Sequence, residues 1–239
     1  MRPLVLASSS PRRQELLKAS GLPFTVIATA VPEAAEPGEK ARAMVVRLSQ
    51  AKARVAAASA PPEAVIIAAD TTVVLFDAMR ETILEKPVDT ADAERMLRLL
   101  RGRKHSVFTA VTLLDTRAPE TEGAGPREET DVFMAWVPMR NYSDEEIAAY
   151  VASGDPLDKA GAYAIQYPDF QPVDLPRFTD CYLNVMGLPV CAVLKRLHEW
   201  TVTAAPGAPR PQVGDCRHAA HRAAPPACPI LDRLAVPPR

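Results

Sequence analysis

A four-residue apolar run near the N-terminus, Leu4–Ala7, leads directly into a helix start. A short run of this kind, bounded by polar residues, is typical of a buried strand. Ser10 followed by Pro11 matches a helix N-cap with proline at the first helical position. A second apolar run, Val65–Ala69, repeats the buried-strand pattern and ends at Asp70. Buried strands followed by helices favour an α/β fold.

Helix and strand patterns alternate over residues 1–202, which we predict to form one domain. The predicted helices cover residues 11–20, 40–59, 90–101, 188–200 and the segment that follows the capping box Ser143–Glu146. The predicted strands cover residues 4–7, 24–27, 65–70, 72–76, 82–84, 105–114 and 130–137. Because crossovers and hairpins both occur, we predict a mixed sheet.

Residues 203–239 differ in composition from the rest of the chain, because proline and alanine fill most positions. Such a segment does not readily form a regular element, so we predict a mobile tail. Its Cys216, His218, His221 and Cys228 could supply four zinc ligands. Their spacing is not that of a standard zinc finger, and we expect free side chains instead.

Charge and hydropathy exclude several classes of protein. The formal net charge of −1 over 239 residues argues against a basic surface built for nucleic acid. No stretch reaches the roughly 18 apolar residues of a membrane span, and the first apolar run is too short for a signal peptide. We therefore expect a cytoplasmic protein with neither a nucleic-acid nor a membrane partner. The chain has no Walker, Rossmann or nucleophile-elbow motif.

The polar motif Ser8–Arg13 lies between the first strand and the first helix. Free backbone N–H groups and the helix dipole favour an anion at such a helix start. Arginine suits bidentate contact with phosphate. The alternative is a capped helix with two solvated arginines.

Three further motifs carry charged groups. Asp70–Thr71 at the end of a buried strand could hold a metal or accept a proton from water, or cap a turn. Glu85–Lys86 could serve a metal and a phosphate, or form a surface ion pair. Lys52 lies on a predicted helix, where a lone lysine is usually solvated.

Taken in order, these motifs resemble the Maf-type nucleotide pyrophosphatases. The matching segments are Leu6–Leu17, Arg47–Leu48 with Lys52–Ala53, Ala69–Thr71, Glu85–Pro87, His105–Thr109, Asp158–Gly161 and Asn184–Pro189. Each motif is weak by itself, but seven in the same order are highly specific. The resemblance covers about residues 3–199.

The resemblance implies a Maf/Ham1 (ITPase-like) fold, in which a mixed twisted sheet forms two lobes around a central cleft. It implies hydrolysis of a nucleoside triphosphate to the monophosphate and pyrophosphate, with Mg²⁺ or Mn²⁺, and it implies a homodimer. Asp70 matches the family's proton acceptor and, with Glu33 and Glu85, the acids near the metal. The positions that match substrate contacts are Ser8, Ser10, Arg12, Arg13, Lys52 and Lys86.

Four markers resemble the dTTP/UTP branch of the family rather than the 7-methyl-GTP branch. They are Arg12, Asp70–Thr71, Glu85–Pro87 and Ile165–Gln166. Thr71 and Gln166 are therefore candidates for reading the base. Ala164, Tyr167 and residues 168–178 depart from the glycine-rich pattern of the family. Cleavage of 7-methyl-GTP and a non-catalytic nucleotide-binding role in cell division are the alternatives.

Overall fold

The computed structural model describes residues 2–78, 80–117, 127–202, 230 and 234. Its strands are β1 (Leu4–Ala7), β2 (Thr25–Val26), β3 (Val65–Asp77), β4 (Arg80–Leu84), β5 (Lys104–Asp115) and β6 (Glu128–Pro138). Its α-helices are α1 (Pro11–Lys18), α2 (Ala41–Ala57), α3 (Thr90–Leu100), α4 (Asp144–Ala152), α5 (Tyr182–Val185) and α6 (Val190–Val202). No helix in the described part of the chain is long and apolar enough to cross a membrane.

One sheet contains all six strands, in the order β2-β1-β3-β5-β6, with β4 also paired to β3. Strand β1 is parallel to β2 and β3. The pairs β3–β4, β3–β5 and β5–β6 are antiparallel. The predicted α/β class with a mixed sheet is therefore confirmed.

Strand β3 has a notch along one of its two edges. Its first residues, Val65–Ala68, pair with β1, and its last residues, Val73–Asp77, pair with β4. The four residues between them, from 69 to 72, pair with β5 on the opposite edge but with neither β1 nor β4. Both flanking strands end at the notch, since Ala7 lies opposite Ala68 and Leu84 opposite Val73. The segments after β1 and β4 therefore enter this gap.

The position predicted for Asp70 within its strand was wrong. The sequence placed Asp70 at the carboxyl end of a strand that stopped there, but β3 continues for seven residues to Asp77. Pairing with β5 continues through this point, because Asp70 lies opposite Ala110 and Thr71 opposite Thr109. Threonine, which follows Asp70 at positions 71 and 72, also has a high propensity for β-strands. Asp70 thus lies in the middle of a strand, beside the notch.

The two faces of the sheet are covered differently. On one face, α2 packs Ala41 and Val45 against Val74 and Phe108. The other face carries the main core, whose largest fully buried side chains include Trp200, Tyr142 and Phe178. Side chains alternate along a strand, so Asp70 lies on the α2 face and Thr71 on the main-core face.

Most of the predicted mobile tail, and all four of its Cys and His residues, lie outside the described residues. Two residues of the tail are described. Ile230 is 5% exposed and belongs to the main core, and Leu234 packs against it. The boundary between a domain over residues 1–202 and a separate tail stays a prediction.

Candidate active site

A cleft of about 530 Å³ opens at the notch in β3. Its walls come from the start of α1, the loop before α2, the α2 helix, the middle of β3, and segments that follow β4, α4 and α5. All the predicted site residues line it: Ser8, Ser10, Arg12, Arg13, Glu33, Lys52, Asp70, Thr71, Glu85, Lys86 and Gln166. The structure thus brings together residues that are up to 158 positions apart in the sequence. Their individual roles stay predictions.

Lys52 links two carboxylates on the α2 side of the cleft. Its Nζ donates to Asp70 Oδ1 at 2.7 Å and to Glu33 Oε1 at 2.6 Å. Lys86 Nζ donates to the other oxygen of Glu33 at 3.0 Å. Lys52 is only 5% exposed, so the alternative of a solvated lysine is excluded, and it lines the cleft as the resemblance implied. The helix carries it inward because its neighbours Leu48 and Ala53 are buried on the same face.

The pKa values of the two carboxylates shift in opposite directions, although Lys52 acts to lower both. Burial raises the pKa of Asp70, and the nearby charges of Lys52 and Arg13 only partly offset that effect. Partial burial also acts to raise the pKa of Glu33, but hydrogen bonds from Lys52 and Lys86 outweigh it and lower the pKa to about 2. A carboxylate with a raised pKa is the better proton acceptor near neutral pH. Asp70 is therefore the better candidate for a general base.

The start of α1 supplies groups suited to an anion. Ser10 occupies the N-cap position and makes no side-chain capping bond. Ser10, Arg12 and Arg13 line the cleft, and the backbone N–H groups of a helix's first turn have no partner within the helix. Arg12 lies 3.6 Å from Asp158, which is an exposed partner. Exposed pairs of this kind are weak, and a phosphate can compete for the guanidinium.

The opposite side of the cleft contains mostly neutral groups. Arg13 carries a positive charge on this side, but its guanidinium is turned toward the protein. Its Nε donates to the Gly187 carbonyl at 2.9 Å and its Nη2 to Thr71 Oγ1 at 3.0 Å. Gln166 lies on this side with Tyr163, and Tyr163 is bonded to the buried His105 at 2.8 Å.

Four residues outside the predicted set also line or support the cleft: Thr109, Asn184, Gly187 and Lys159. Thr109 bonds to Thr71 and to the Asn184 carbonyl, and Gly187 closes the cleft against Arg13. Lys159 is buried and pairs with Asp155 and Asp158. Their sequence signal was the motifs His105–Thr109, Asp158–Gly161 and Asn184–Pro189. Which residue in each motif matters becomes clear only from strand register and loop contacts.

The carboxylates supply part of a site for a divalent cation. In the described part of the chain, no three His, Cys, Asp or Glu side chains converge closely enough to hold a metal by themselves. Asp70 and Glu33 nevertheless place one oxygen each on the same ammonium group, and Glu85 lines the same cleft. Mg²⁺ is commonly held by one or two carboxylates together with substrate phosphates. The donors therefore fit a cation whose remaining ligands come from the substrate and water.

Comparison with known proteins supports the resemblance. The family model described as "Maf-like protein" matches residues 3–200. This chain belongs to the Maf family. Among curated relatives, it is 45% identical to the dTTP/UTP pyrophosphatase of Thermomicrobium roseum over 82% of this chain and 83% of that protein. It is 42% identical to the protein of the same name from Escherichia coli O157:H7, over 80% and 89% of the two chains.

A third relative, the dTTP/UTP pyrophosphatase of Geobacter sulfurreducens, is 43% identical over 81% of this chain and 94% of that protein. A solved structure of a nucleoside-triphosphatase / dITP/XTP pyrophosphatase from Mycobacterium abscessus covers 59% of this chain and 75% of that one, at 15% identity and a TM-score of 0.34. That likeness is too low to carry an argument. The family assignment rests on the sequence relatives and the family model.

Proposed function

We propose that this Maf-family chain hydrolyses dTTP and UTP to the monophosphate and pyrophosphate. The observation that carries the proposal is a buried Asp70 at the notch in β3, which is bonded to Lys52 and lines the same cleft as the start of α1. The names of the curated relatives support the substrate class.

The chemistry follows from the charges around the notch. Arg12, Lys86 and the N–H groups at the start of α1 neutralise and orient the triphosphate. Asp70 accepts a proton from a water molecule, whose oxygen attacks the α-phosphorus. The bond from the α-phosphorus to the bridging oxygen breaks, and pyrophosphate leaves with that oxygen. Phosphoryl transfer depends on positioning and charge neutralisation more than on covalent help from the protein.

We also propose that Mg²⁺ or Mn²⁺ takes part, held by Glu33, Glu85 and Asp70. When bound, the cation offsets the negative charge of the phosphates. Lys52 already lies between two of these carboxylates, so it keeps them close together before any cation arrives.

Base selectivity is assigned to the neutral side. The uracil and thymine edge presents two carbonyl acceptors and one N–H donor, and the amide of Gln166 can both donate and accept. Cytosine reverses part of this pattern and would leave a buried group unpaired, which costs about 1–3 kcal/mol. We therefore propose that dTTP and UTP are preferred over CTP.

The test is pyrophosphate release from dTTP, UTP, CTP, ATP, GTP and 7-methyl-GTP, measured with Mg²⁺, with Mn²⁺ and with a chelator. We expect kcat/KM for dTTP and UTP to exceed that for the others by about tenfold or more, and activity to need the cation. A preference for 7-methyl-GTP would move the chain to the other branch. Binding without hydrolysis of any of the six would favour a non-catalytic role.

A cytoplasmic location and a homodimer stay predictions. Light scattering on the purified protein tests the second, since a homodimer would have twice the 25.9 kDa mass of the chain.

A further inference from the structure

The guanidinium of Arg13 forms hydrogen bonds to other groups of the protein through all three of its nitrogens. In addition to the bonds to Gly187 and Thr71, its Nη1 lies 3.5 Å from Ser8 Oγ. The hydrogen bonds of Nε and Nη2 point to the backbone of one wall and to strand β3. An arginine held in this way braces two segments of the chain against each other.

The hydrogen bonds that link Thr71, Thr109 and Asn184 allow only one assignment of donors and acceptors. Thr109 Oγ1 donates to the Asn184 carbonyl at 3.0 Å, and a hydroxyl has a single proton to donate. In the 2.9 Å contact between the two hydroxyls, Thr71 must therefore be the donor and Thr109 the acceptor. The one proton of Thr71 is thus used in the bond to Thr109, and its oxygen also accepts from Arg13. The chain of bonds runs from Arg13 through Thr71 and Thr109 to Asn184.

Gly187 fits closely over this chain of bonds. Its φ of +107° is strained for any side chain, and an added Cβ would lie 3.3 Å from Thr71 Oγ1 and 3.5 Å from Arg13 Nε. The segment Asn184–Gly187 is thus tied at both ends, by Thr109 at one carbonyl and by Arg13 at the other. Between these ties, Val185 and Met186 line the cleft.

We propose that Arg13, Thr71 and Thr109 are positioning residues that fix the wall Val185–Gly187 and thereby set the selectivity for the base. This inference rests on the proposed function. It assigns Thr71 a role different from direct donation to the substrate, because its one proton is used inside the protein. It assigns Arg13 chiefly to the wall, and the phosphates to Arg12, Lys86 and the start of α1.

Thr109 gives the deciding experiment, because it is fully buried and is not among the residues that line the cleft. We expect Thr71→Val and Thr109→Val to lower the ratio of kcat/KM for dTTP over CTP by a similar factor, about tenfold each. The double variant should lose little more than either single variant, because both interrupt the same chain. Thr109→Ser keeps the hydroxyl and should restore the ratio.

Thr112→Val is the matched control. Thr112 lies on the same strand, is equally buried and bonds to Ser49 and Thr130, outside the cleft. It should lower the melting temperature but leave the dTTP/CTP ratio unchanged. If Thr71→Val lowers the ratio while Thr109→Val keeps it, Thr71 contacts the base directly and the inference is overturned.

Arg13→Lys gives a second measurement that does not depend on the threonine variants folding. Lysine keeps the charge but loses the planar fork that reaches both Gly187 and Thr71. We expect a loss of selectivity between bases. An equal loss for all nucleotides would instead assign Arg13 to the phosphates and overturn the inference. If the parent protein cleaves no nucleotide, the proposed function itself fails. That result differs from an unchanged ratio in Thr109→Val and from an equal loss for all nucleotides in Arg13→Lys, which overturn only this inference.

Discussion

The two sides of the cleft differ in charge although both are built on the same strand. On the α2 side, Asp70, Glu33, Lys52 and Lys86 form a continuous network of ion pairs. On the side of the main core, hydroxyl, amide and carbonyl groups dominate. Arg13 is bonded inward there, and Lys159 is paired with Asp155 and Asp158. The neighbours Asp70 and Thr71 belong to different sides because successive side chains in a strand point to opposite faces.

Under the proposed function, this difference in charge separates two tasks. Every nucleoside triphosphate carries the same phosphates, so changes on the charged side should affect all substrates equally. The base varies between substrates, so changes on the neutral side should alter ratios between them. Each prediction below can contradict or refine that division.

The largest effect is expected for Asp70→Asn. The substitution keeps the shape and removes the proton acceptor, and loss of a general base typically lowers the rate about 10²–10⁴-fold. We expect kcat to fall in that range for every nucleotide, with binding retained in a calorimetric titration. Asp77→Asn, on the same strand but outside the cleft lining, is the control. Near-parent turnover in Asp70→Asn would move the role to Glu85.

A smaller loss of activity is expected for Lys52→Met. The variant leaves Asp70 and Glu33 without their shared cation, so we expect kcat/KM to fall about a hundredfold for all nucleotides. Stability should also fall, because breaking a buried pair leaves an uncompensated charge. Arg54→Met is the control, because Arg54 lies on the same helix but pairs with Glu128 away from the cleft. It should leave kcat/KM unchanged. A change in the dTTP/CTP ratio would show that the two sides are coupled.

On the neutral side, Gln166→Ala should act on selectivity. Losing the amide removes the bonds that distinguish uracil from cytosine, and we expect the preference for dTTP over CTP to fall about tenfold. Turnover of dTTP at saturation should change less than that ratio. Steady-state kinetics with both nucleotides measures the two quantities together. An unchanged ratio would indicate that Gln166 only supports the loop around it.

The last prediction concerns stability and expects the smallest effect on activity. Burial lowers the pKa of His105 to about 3 from its ordinary value of 6.5, so the folded protein keeps this ring neutral. The unfolded chain takes up the proton as the pH falls below 6.5, so the stabilising contribution of His105 is lost between pH 6.5 and about 3. His105→Gln should be less stable at pH 7 but lose less stability across that window.

Denaturant unfolding at several pH values measures this slope, for which one fully linked proton accounts for about 1.4 kcal/mol per pH unit. A variant with the same slope as the parent would show that His105 takes up its proton in the folded state too. A charge would then form at His105, next to Tyr163 on the neutral side of the cleft, as the pH falls.

The sequence identified the site residues better than it placed them. The ordered match to the family pointed to Asp70, Lys52 and Lys86, and all three line the cleft. The continuity of β3 was missed, since Asp70–Thr71–Thr72 interrupts the apolar pattern although β5 keeps the strand paired. Local sequence did not distinguish Lys52 from a solvated lysine, because its carboxylate partners come from a loop and a strand 19 and 18 positions away. The Thr71–Thr109 bond depends on strand register, which no local pattern specifies.

The pleat of β3 has a consequence for how this enzyme family can be altered. Under the proposed function, a substitution at an odd-numbered position near the notch would alter the side assigned to the base, and one at an even-numbered position the side assigned to the phosphates. Random libraries confined to the odd positions of β3 and their neighbours could therefore explore new substrates without touching hydrolysis. A single-residue insertion before Asp70 would have the opposite outcome, because it would exchange the two faces at once.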